Sequence, residues 1–176
     1  MKLDLGCGPN KRPDFYGVDI LPAFNGKPAE ECGVDLVFDL RTTPWPWESD
    51  SVEEAFSSHF VEHLTGTERV GFFNELCRVM QKGARALIVT PHWSHACAYG
   101  DPTHQWPPMS EWYAYYLNAE WRKVNAPHAP YTCDFDFMVG GSWDPWLQTR
   151  NPEFQQEKMQ HNINSFRDLH VTLTKR

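Results

Sequence analysis

Long apolar runs and an N-terminal leader are both missing from this sequence of 176 residues. No stretch approaches the roughly 18 consecutive apolar residues that cross a bilayer. The chain opens on a strand-like segment and not on a charged and then apolar leader. We therefore expect no membrane association, no secretion and a cytoplasmic location. The length predicts a single domain over residues 1–176.

Paired cysteines are also missing, and so is an excess of positive charge. The five cysteines are odd in number and scattered without CxxC spacing, which predicts reduced thiols. The formal net charge is −7. A nucleic-acid surface is normally basic because it neutralises phosphates, so a nucleic-acid partner is disfavoured, although a locally basic groove is not excluded.

Short apolar runs alternate with polar turns or helical patterns, as an α/β sheet requires. The clearest helix is predicted over 67–81, where apolar residues recur on one face, and Thr65 and Thr67 are plausible caps at its start. From Pro91 the pattern changes, and prolines, histidines and tryptophans dominate. We interpret 91–130 as an insertion over the ligand edge, with one helix over 110–124. Strands are predicted at 2–5, 16–19, 36–38, 54–57, 84–89, 135–139 and 169–173.

The most informative feature is a glycine turn directly after the first strand. Gly6-Cys7-Gly8 follows the apolar run, and Asp19 ends the next strand. Glycines at that point let the backbone approach a ligand where a Cβ would collide. A carboxylate at the tip of the next strand is placed to accept hydrogen bonds from a ribose diol. The pair predicts a nucleoside-cofactor pocket at the carboxyl edge of a parallel sheet.

A dinucleotide is disfavoured as the occupant of that pocket. A nicotinamide site needs a third glycine, a full helix and an acidic residue about 20 positions further on. Here Pro9-Asn10 follows the turn, and Asp19 arrives too early for a normal crossover helix.

The order of these residues resembles the class I S-adenosylmethionine-dependent methyltransferases, particularly the small LDLGCG type, over most of residues 2–90. The resemblance implies a Rossmann-like sheet that is mostly parallel, with one antiparallel strand near the C-terminus. It implies S-adenosylmethionine as cofactor and S-adenosylhomocysteine as product. The residues that it assigns are Asp4, Gly6, Cys7 and Gly8 at the methionine and sugar end, Asp19 and Ile20 at the ribose and adenine, Asp39 and Leu40 at the adenine, and Ser58 and His59 beside the methionine moiety.

Two departures from that family affect one side of the pocket. Little room is left between Gly8 and Tyr16 for the first crossover helix. The helices that normally precede the first strand are missing, so we expect a fold truncated at the N-terminus. The side of the cofactor pocket that these helices normally enclose would then be covered by another subunit of a homo-oligomer or by the 91–130 segment.

A second constellation is His59, Glu62 and His63, which would share one face of a helix at i, i+3 and i+4. It resembles the E-x-x-E-H element of certain metal-assisted O-methyltransferases, in which a later histidine joins; the candidates here are His92, His95 and His104. In this chain a histidine replaces the first carboxylate. Three interpretations stay open: a divalent metal site, a metal-free role near the acceptor, or local helix capping. The metal-free role is preferred, so no metal ligand is assigned.

The third constellation is the turn from Gly100 to His104, which carries Asp101 and His104. A proline-fixed turn with both residues can present an acid/base pair, since histidine titrates near neutrality. An ordinary Asx turn at a loop tip is the alternative. We predict His63, His104 and Asp101 as the catalytic residues that remove a proton from the acceptor.

Aromatic residues concentrate in the same segment. They could stack on a flat aromatic or sugar substrate; we prefer that most of them fill the segment's own small core or an oligomer contact. The sequence as a whole predicts a methyltransferase acting on an oxygen or nitrogen of a small or medium acceptor. The alternatives are a catalytically inactive cofactor-binding partner subunit and a nucleic-acid-modifying methyltransferase. The aromatic residues in question are Trp93, Trp106, Trp112, Tyr113, Tyr115, Tyr116 and Trp121.

Overall fold

The computed structural model describes residues 1–176, except for the side chains of residues 159 and 160. Seven strands form one sheet. They are β1 (Lys2–Leu5), β2 (Tyr16–Asp19), β3 (Leu36–Val37), β4 (Val52–Ser58), β5 (Met80–Pro91), β6 (Phe135–Trp143) and β7 (Phe166–Lys175). Their order across the sheet is β3-β2-β1-β4-β5-β7-β6. The strand order reverses direction between β1 and β4, which is where open α/β sheets bind ligands.

One strand runs against the others, as the sequence predicts. β7 pairs antiparallel with both β5 and β6, while the remaining neighbours pair in parallel. The first two strands have the predicted bounds, the third ends one residue earlier than predicted, and the last four extend beyond their predicted bounds. Because β7 is reversed, its first residues lie at the carboxyl edge of β5, where Asp168 pairs with Pro91.

The predicted long helix is present and begins with a capping box. In α1 (Gly66–Val79), the Thr65 side chain accepts from the backbone N–H of Glu68, whose carboxylate accepts from the backbone N–H of Thr65. This exchange satisfies two of the donors that a helix start leaves free. The apolar face of α1 is buried, and the Phe72 ring lies 5.3 Å from the Trp45 ring.

The remaining helices are short, and among the described residues no helix combines the length and apolar character that a membrane crossing requires. They are α2 (Cys97–Gly100), α3 (Trp112–Tyr116), α4 (Ala119–Asn125), α5 (Pro145–Gln148) and α6 (Pro152–His161), with 3-10 turns at Ala29–Cys32 and Val61–His63. A small hairpin pairs Ala23–Phe24 with Lys27–Pro28.

The prediction of one helix over 110–124 is wrong, because two helices occupy that range. The backbone of Asn118 is extended, and its side-chain oxygen accepts from the backbone N–H of Trp121 to start α4. Its amide nitrogen donates to the carbonyl of Phe135 at 3.0 Å. Asparagine competes well for such backbone groups, so it ends α3 and starts α4.

The first crossover contains no helix, in agreement with its short length. Residues 6–15 form turns. The Arg12 guanidinium lies over two aromatic rings, 5.2 Å from the centroid of Phe15 and 4.6 Å from that of Phe56. Lys11 forms an ion pair with Asp35 at 2.8 Å. These contacts hold the loop against the sheet where a crossover helix would otherwise pack.

Candidate functional site

The glycine turn after β1 brings its backbone close to the chain that leaves β4. Gly6 has a φ of +72°, and the N–H groups of Gly6 and Cys7 both donate to the carbonyl of Val18, at 2.9 and 3.1 Å. A Cβ at Gly6 would collide with the ring of Phe60. Glycine is therefore required at this position for two separate reasons, backbone conformation and space.

Two aspartates lie at the same edge of the sheet: Asp19 ends β2, and Asp39 lies two residues beyond the end of β3. The Asp19 carboxylate accepts from the backbone N–H of Gly8 at 2.9 Å and from that of Leu21 at 3.0 Å. Asp39 forms a two-pronged ion pair with Arg41, at 2.8 and 2.9 Å. This ion pair lowers the pKa of Asp39. These hydrogen bonds fix the orientation of both carboxylates, which can each accept from a ligand.

A narrow cleft of about 160 Å³ separates the two aspartates. Its polar groups suit a nucleoside: two carboxylates can accept from ribose hydroxyls and an adenine amino group, and apolar side chains can pack on the base. The volume is smaller than the roughly 300 Å³ of a typical small-molecule pocket, so the cleft can hold only part of a ligand of that size. The cleft is lined by Asp19, Ile20, Phe38, Asp39, Leu40, Arg41, Phe60, His63 and Leu64.

The other residues predicted to bind the cofactor lie outside that cleft. Asp4 is buried beneath the glycine turn, and its carboxylate accepts from the backbone N–H of Arg12 at 2.7 Å. Burial raises the pKa of Asp4, and it raises the pKa of Cys7 to about 12. Of the described cavities, none is lined by Ser58, whereas His59 lines a second, larger one.

This acceptor-side cavity has a volume of about 600 Å³ and lies beside the carboxyl ends of β4 and β5. Arg167 and Asp168 reach it from β7, and the sequence reasoning missed both. The predicted antiparallel strand could have identified them, because a strand that runs against its neighbours begins at the edge of the sheet where those neighbours end. The cavity is lined by His59, Glu62, His63, Pro91, Cys97, Gly100, Asp101, Pro102, His104, Arg167 and Asp168.

The three residues predicted as catalytic come together in this cavity. The rings of His63 and His104 have centroids 4.8 Å apart. The Thr103 hydroxyl bridges two of them, at 2.6 Å from Asp101 Oδ1 and 2.9 Å from His63 Nδ1. Hydrogen bonds from Thr103 lower the pKa of Asp101. His104 Nδ1 lies 3.1 Å from the carbonyl oxygen of Ala98.

Glu62 is the most unusual residue of the cavity. Its side chain is only 5% exposed, and neither carboxylate oxygen has a hydrogen-bond partner within the described structure. His59 Nδ1 approaches Oε1 to 3.3 Å without hydrogen-bond alignment, and this carboxylate raises the pKa of His59. Buried polar groups are nearly always satisfied, so an orphaned carboxylate requires an explanation.

The other two histidines considered as ligands have different neighbours. His92 lies 2.8 Å from the Ser94 hydroxyl and 3.2 Å from the Glu111 carboxylate. His95 lies 3.7 Å from the carboxylate of Asp144. Only His104, of the three later candidates, shares a ligand-type cluster with Glu62 and His63 among the described residues.

The aromatic residues of 91–130 are less completely packed than expected. Tyr113 stacks on Phe73 with centroids 5.6 Å apart, which agrees with the packing interpretation. Three tryptophans lie outside such a core, because Trp93, Trp106 and Trp112 are 45%, 78% and 63% exposed. None of these three lines the acceptor-side cavity.

Comparison with known proteins relates the chain to others through its fold. No protein-family model matches the sequence, and no curated sequence does. Solved structures match over 99% of this chain. A SAM-dependent methyltransferase from Archaeoglobus fulgidus shares 19% identity at a TM-score of 0.66, with 85% of that chain covered.

Two further matches are enzymes with bound ligands. Phosphoethanolamine N-methyltransferase 2 of Haemonchus contortus, solved with phosphomonomethylethanolamine and S-adenosylhomocysteine, has 15% identity, a TM-score of 0.54 and 48% coverage of that chain. Geranyl diphosphate C-methyltransferase of Streptomyces coelicolor A3(2), solved with Mg²⁺, geranyl diphosphate and S-adenosylhomocysteine, has 16% identity, a TM-score of 0.53 and 71% coverage. At these identities the likeness shows the fold: the chain has the sheet of S-adenosylmethionine-dependent methyltransferases.

Proposed function

We propose that this protein is an S-adenosylmethionine-dependent methyltransferase that acts on an oxygen or nitrogen of a small or medium acceptor. One observation carries the proposal: His63 lines both the cleft between the two aspartates and the acceptor-side cavity. A nucleoside cofactor in the first and an acceptor in the second would therefore meet at one side chain.

The cofactor would supply a methyl group already activated by the sulfonium, so the protein mainly aligns the reactants. Asp19 would accept hydrogen bonds from the ribose, and Asp39 from the adenine amino group. Ile20 and Leu40 would pack on the base. Arg41 supports this role because its ion pair keeps Asp39 ionised and oriented.

On the acceptor side, an imidazole would remove the proton from the oxygen or nitrogen. His63 and His104 both line the cavity, and the Asp101–Thr103 pair orients His63 through its Nδ1. A histidine is suited to this step because its ordinary pKa lies near neutral pH.

Isothermal titration with S-adenosylmethionine and S-adenosylhomocysteine tests the cofactor half of the proposal. The wild type is expected to bind both. Asp19→Asn is expected to bind about 10- to 100-fold more weakly, since a hydrogen bond to a charged group contributes about 1.5–3 kcal/mol. Asp136→Asn, an exposed site on β6, is the control that should bind like the wild type. Absence of wild-type binding would refute the proposal.

Transfer of labelled methyl groups into fractionated cell lysate tests the catalytic half. Label in a small-molecule fraction supports the proposed acceptor class, and label in RNA or DNA would identify a nucleic-acid modifier instead. Cofactor binding without transfer into any fraction would favour the alternative of an inactive partner subunit.

A further inference from the structure

From the side chains around Glu62, we infer a binding site for one divalent transition-metal ion formed by Glu62, His63 and His104. One ligand-type atom from each of the three lies within 4.8 Å of the others. The site goes beyond the proposed methyl transfer, because it concerns metal binding by these side chains whether or not methyl transfer occurs; with the ion bound, His63 and His104 act as ligands and not as bases.

The first argument is the state of Glu62. Its carboxylate is almost completely buried, faces a cavity and lacks a hydrogen bond at either oxygen; the half-exposed His59 imidazole lies within ion-pair distance, 3.3 Å from Oε1. A carboxylate taken out of water without partners is strongly destabilising, so such groups are normally paired or bound to a metal. A cation in the cavity would satisfy both oxygens at once.

The second argument is the hydrogen-bond pattern of His63. Thr103 has a single hydroxyl proton, and that proton goes to the Asp101 carboxylate, which only accepts. Thr103 must then accept from Nδ1–H of His63. The lone pair of His63 is therefore assigned to Nε2, the nitrogen left for a metal.

The tautomer of His104 is assigned in the same way, from a different hydrogen-bond acceptor. Its Nδ1 faces the carbonyl oxygen of Ala98, which can only accept, so Nδ1 carries the proton and Nε2 the lone pair. Metal-binding histidines characteristically donate their other N–H to a carbonyl or carboxylate, directly or through a bridge. The Asp101–His104 turn thus supplies one ligand and orients the imidazole of His63, while the Ala98 carbonyl orients that of His104.

The donor set selects the kind of ion. Two imidazoles and one carboxylate suit Zn²⁺, Co²⁺ or Fe²⁺, whereas Mg²⁺ and Ca²⁺ prefer all-oxygen ligands. Bonds of about 2.1 Å put tetrahedral ligand atoms ~3.4 Å apart, so binding needs only a small closure from the observed separations. Three protein ligands would leave a position open toward the acceptor-side cavity.

Metal titration of untagged protein tests the site. Co²⁺ absorption and Zn²⁺ calorimetry are expected to show about one equivalent bound per chain. Glu62→Gln should weaken binding by at least about 100-fold, because it replaces the anionic ligand. Thr103→Val keeps all three ligands but removes the bridge to His63, and we expect a loss of about 10-fold. Zn²⁺ should raise the Tm of the wild type and not that of Glu62→Gln.

Matched controls are Glu157→Gln and His128→Gln, which replace the same residue types at exposed positions. Both should bind metal like the wild type, and circular dichroism establishes that each variant is folded. If Glu62→Gln does not fold, Thr103→Val decides. Wild-type binding below about a tenth of an equivalent, or unchanged affinity in Thr103→Val, would overturn the site. Calorimetry with S-adenosylmethionine, run without metal, keeps this result separate from the proposed function.

Discussion

At the scale of single residues, Gly6 lets the turn after β1 pack directly against Phe60, which lines the cleft between the two aspartates. Its left-handed backbone conformation and the ring of Phe60 both exclude a side chain. Gly8 has a φ of +53° but no atom near the position of a Cβ. The two glycines therefore separate the effect of backbone strain from that of steric collision.

We predict that Gly6→Ala destabilises the protein more than Gly8→Ala. Each substitution forces an L-residue into the left-handed region at about 1–2 kcal/mol. Only Gly6→Ala also pushes on Phe60, which adds about 1–3 kcal/mol. Urea denaturation of both variants measures the difference, and equal losses would show that Phe60 moves away freely.

Asp4 provides a second test at the residue scale, through the pH dependence of stability. Burial raises its pKa in the folded state, so folding favours the neutral carboxyl. The free-energy cost of burying the ionised carboxyl is absent at pH values below the ordinary Asp pKa. It develops as the pH rises through the pKa of Asp4 in the unfolded state and then through its pKa in the folded state. Asp4→Asn keeps an acceptor for the backbone N–H of Arg12.

Thermal unfolding from acidic to mildly alkaline pH should therefore show a widening advantage of Asp4→Asn over the wild type. The widening should stop above the folded pKa, where the carboxyl is fully ionised. An advantage independent of pH, or a loss that grows with pH, would contradict the assignment of burial as the dominant effect. The variant Asp136→Asn should show no such trend, since that carboxylate is exposed.

At the scale of elements, the start of α1 illustrates how far sequence reasoning reaches. Thr65 and Thr67 are both plausible caps from the sequence, and the structure assigns the role to Thr65. The choice depends on backbone geometry, because a cap needs an extended conformation while the next residues are helical. Thr67 lies inside α1 and is exposed.

Thr65→Ala is expected to lower the free energy of unfolding by about 1 kcal/mol, because it removes the hydroxyl half of the capping box. Thr67→Ala should change it by no more than about 0.5 kcal/mol, as is usual for exposed sites. Chemical denaturation of the two variants measures both. A larger loss in Thr67→Ala would contradict the observed cap.

The segment 91–130 shows where prediction at the element scale fails. Helical spacing of its aromatic residues predicts one helix, yet Asn118 divides the range into α3 and α4. The carbonyl of Phe135 holds the Asn118 amide from a distant strand. A break that depends on a partner remote in sequence leaves little local signal.

At the scale of the whole molecule, net charge is the property that the sequence supplies directly. A charge of −7 opposes binding to a polyanion, and the cavity described above contains more carboxylates than cations. We predict no measurable binding of single-stranded RNA or duplex DNA at about 0.1 M salt. Fluorescence anisotropy checks this, and salt-dependent binding would support the nucleic-acid alternative for the acceptor.

The sequence by itself determined the sheet and one wall of the site. The strands, α1 and the two aspartates near strand ends depend on local periodicity and on residues close to strand ends, and the family resemblance implied the reversed closing strand. Only the tertiary structure decided how Glu62 and His63 meet His104, and how Asp168 reaches the same cavity. Those contacts join segments far apart in the chain, and their geometry is fixed by sheet order and packing, which no local pattern encodes.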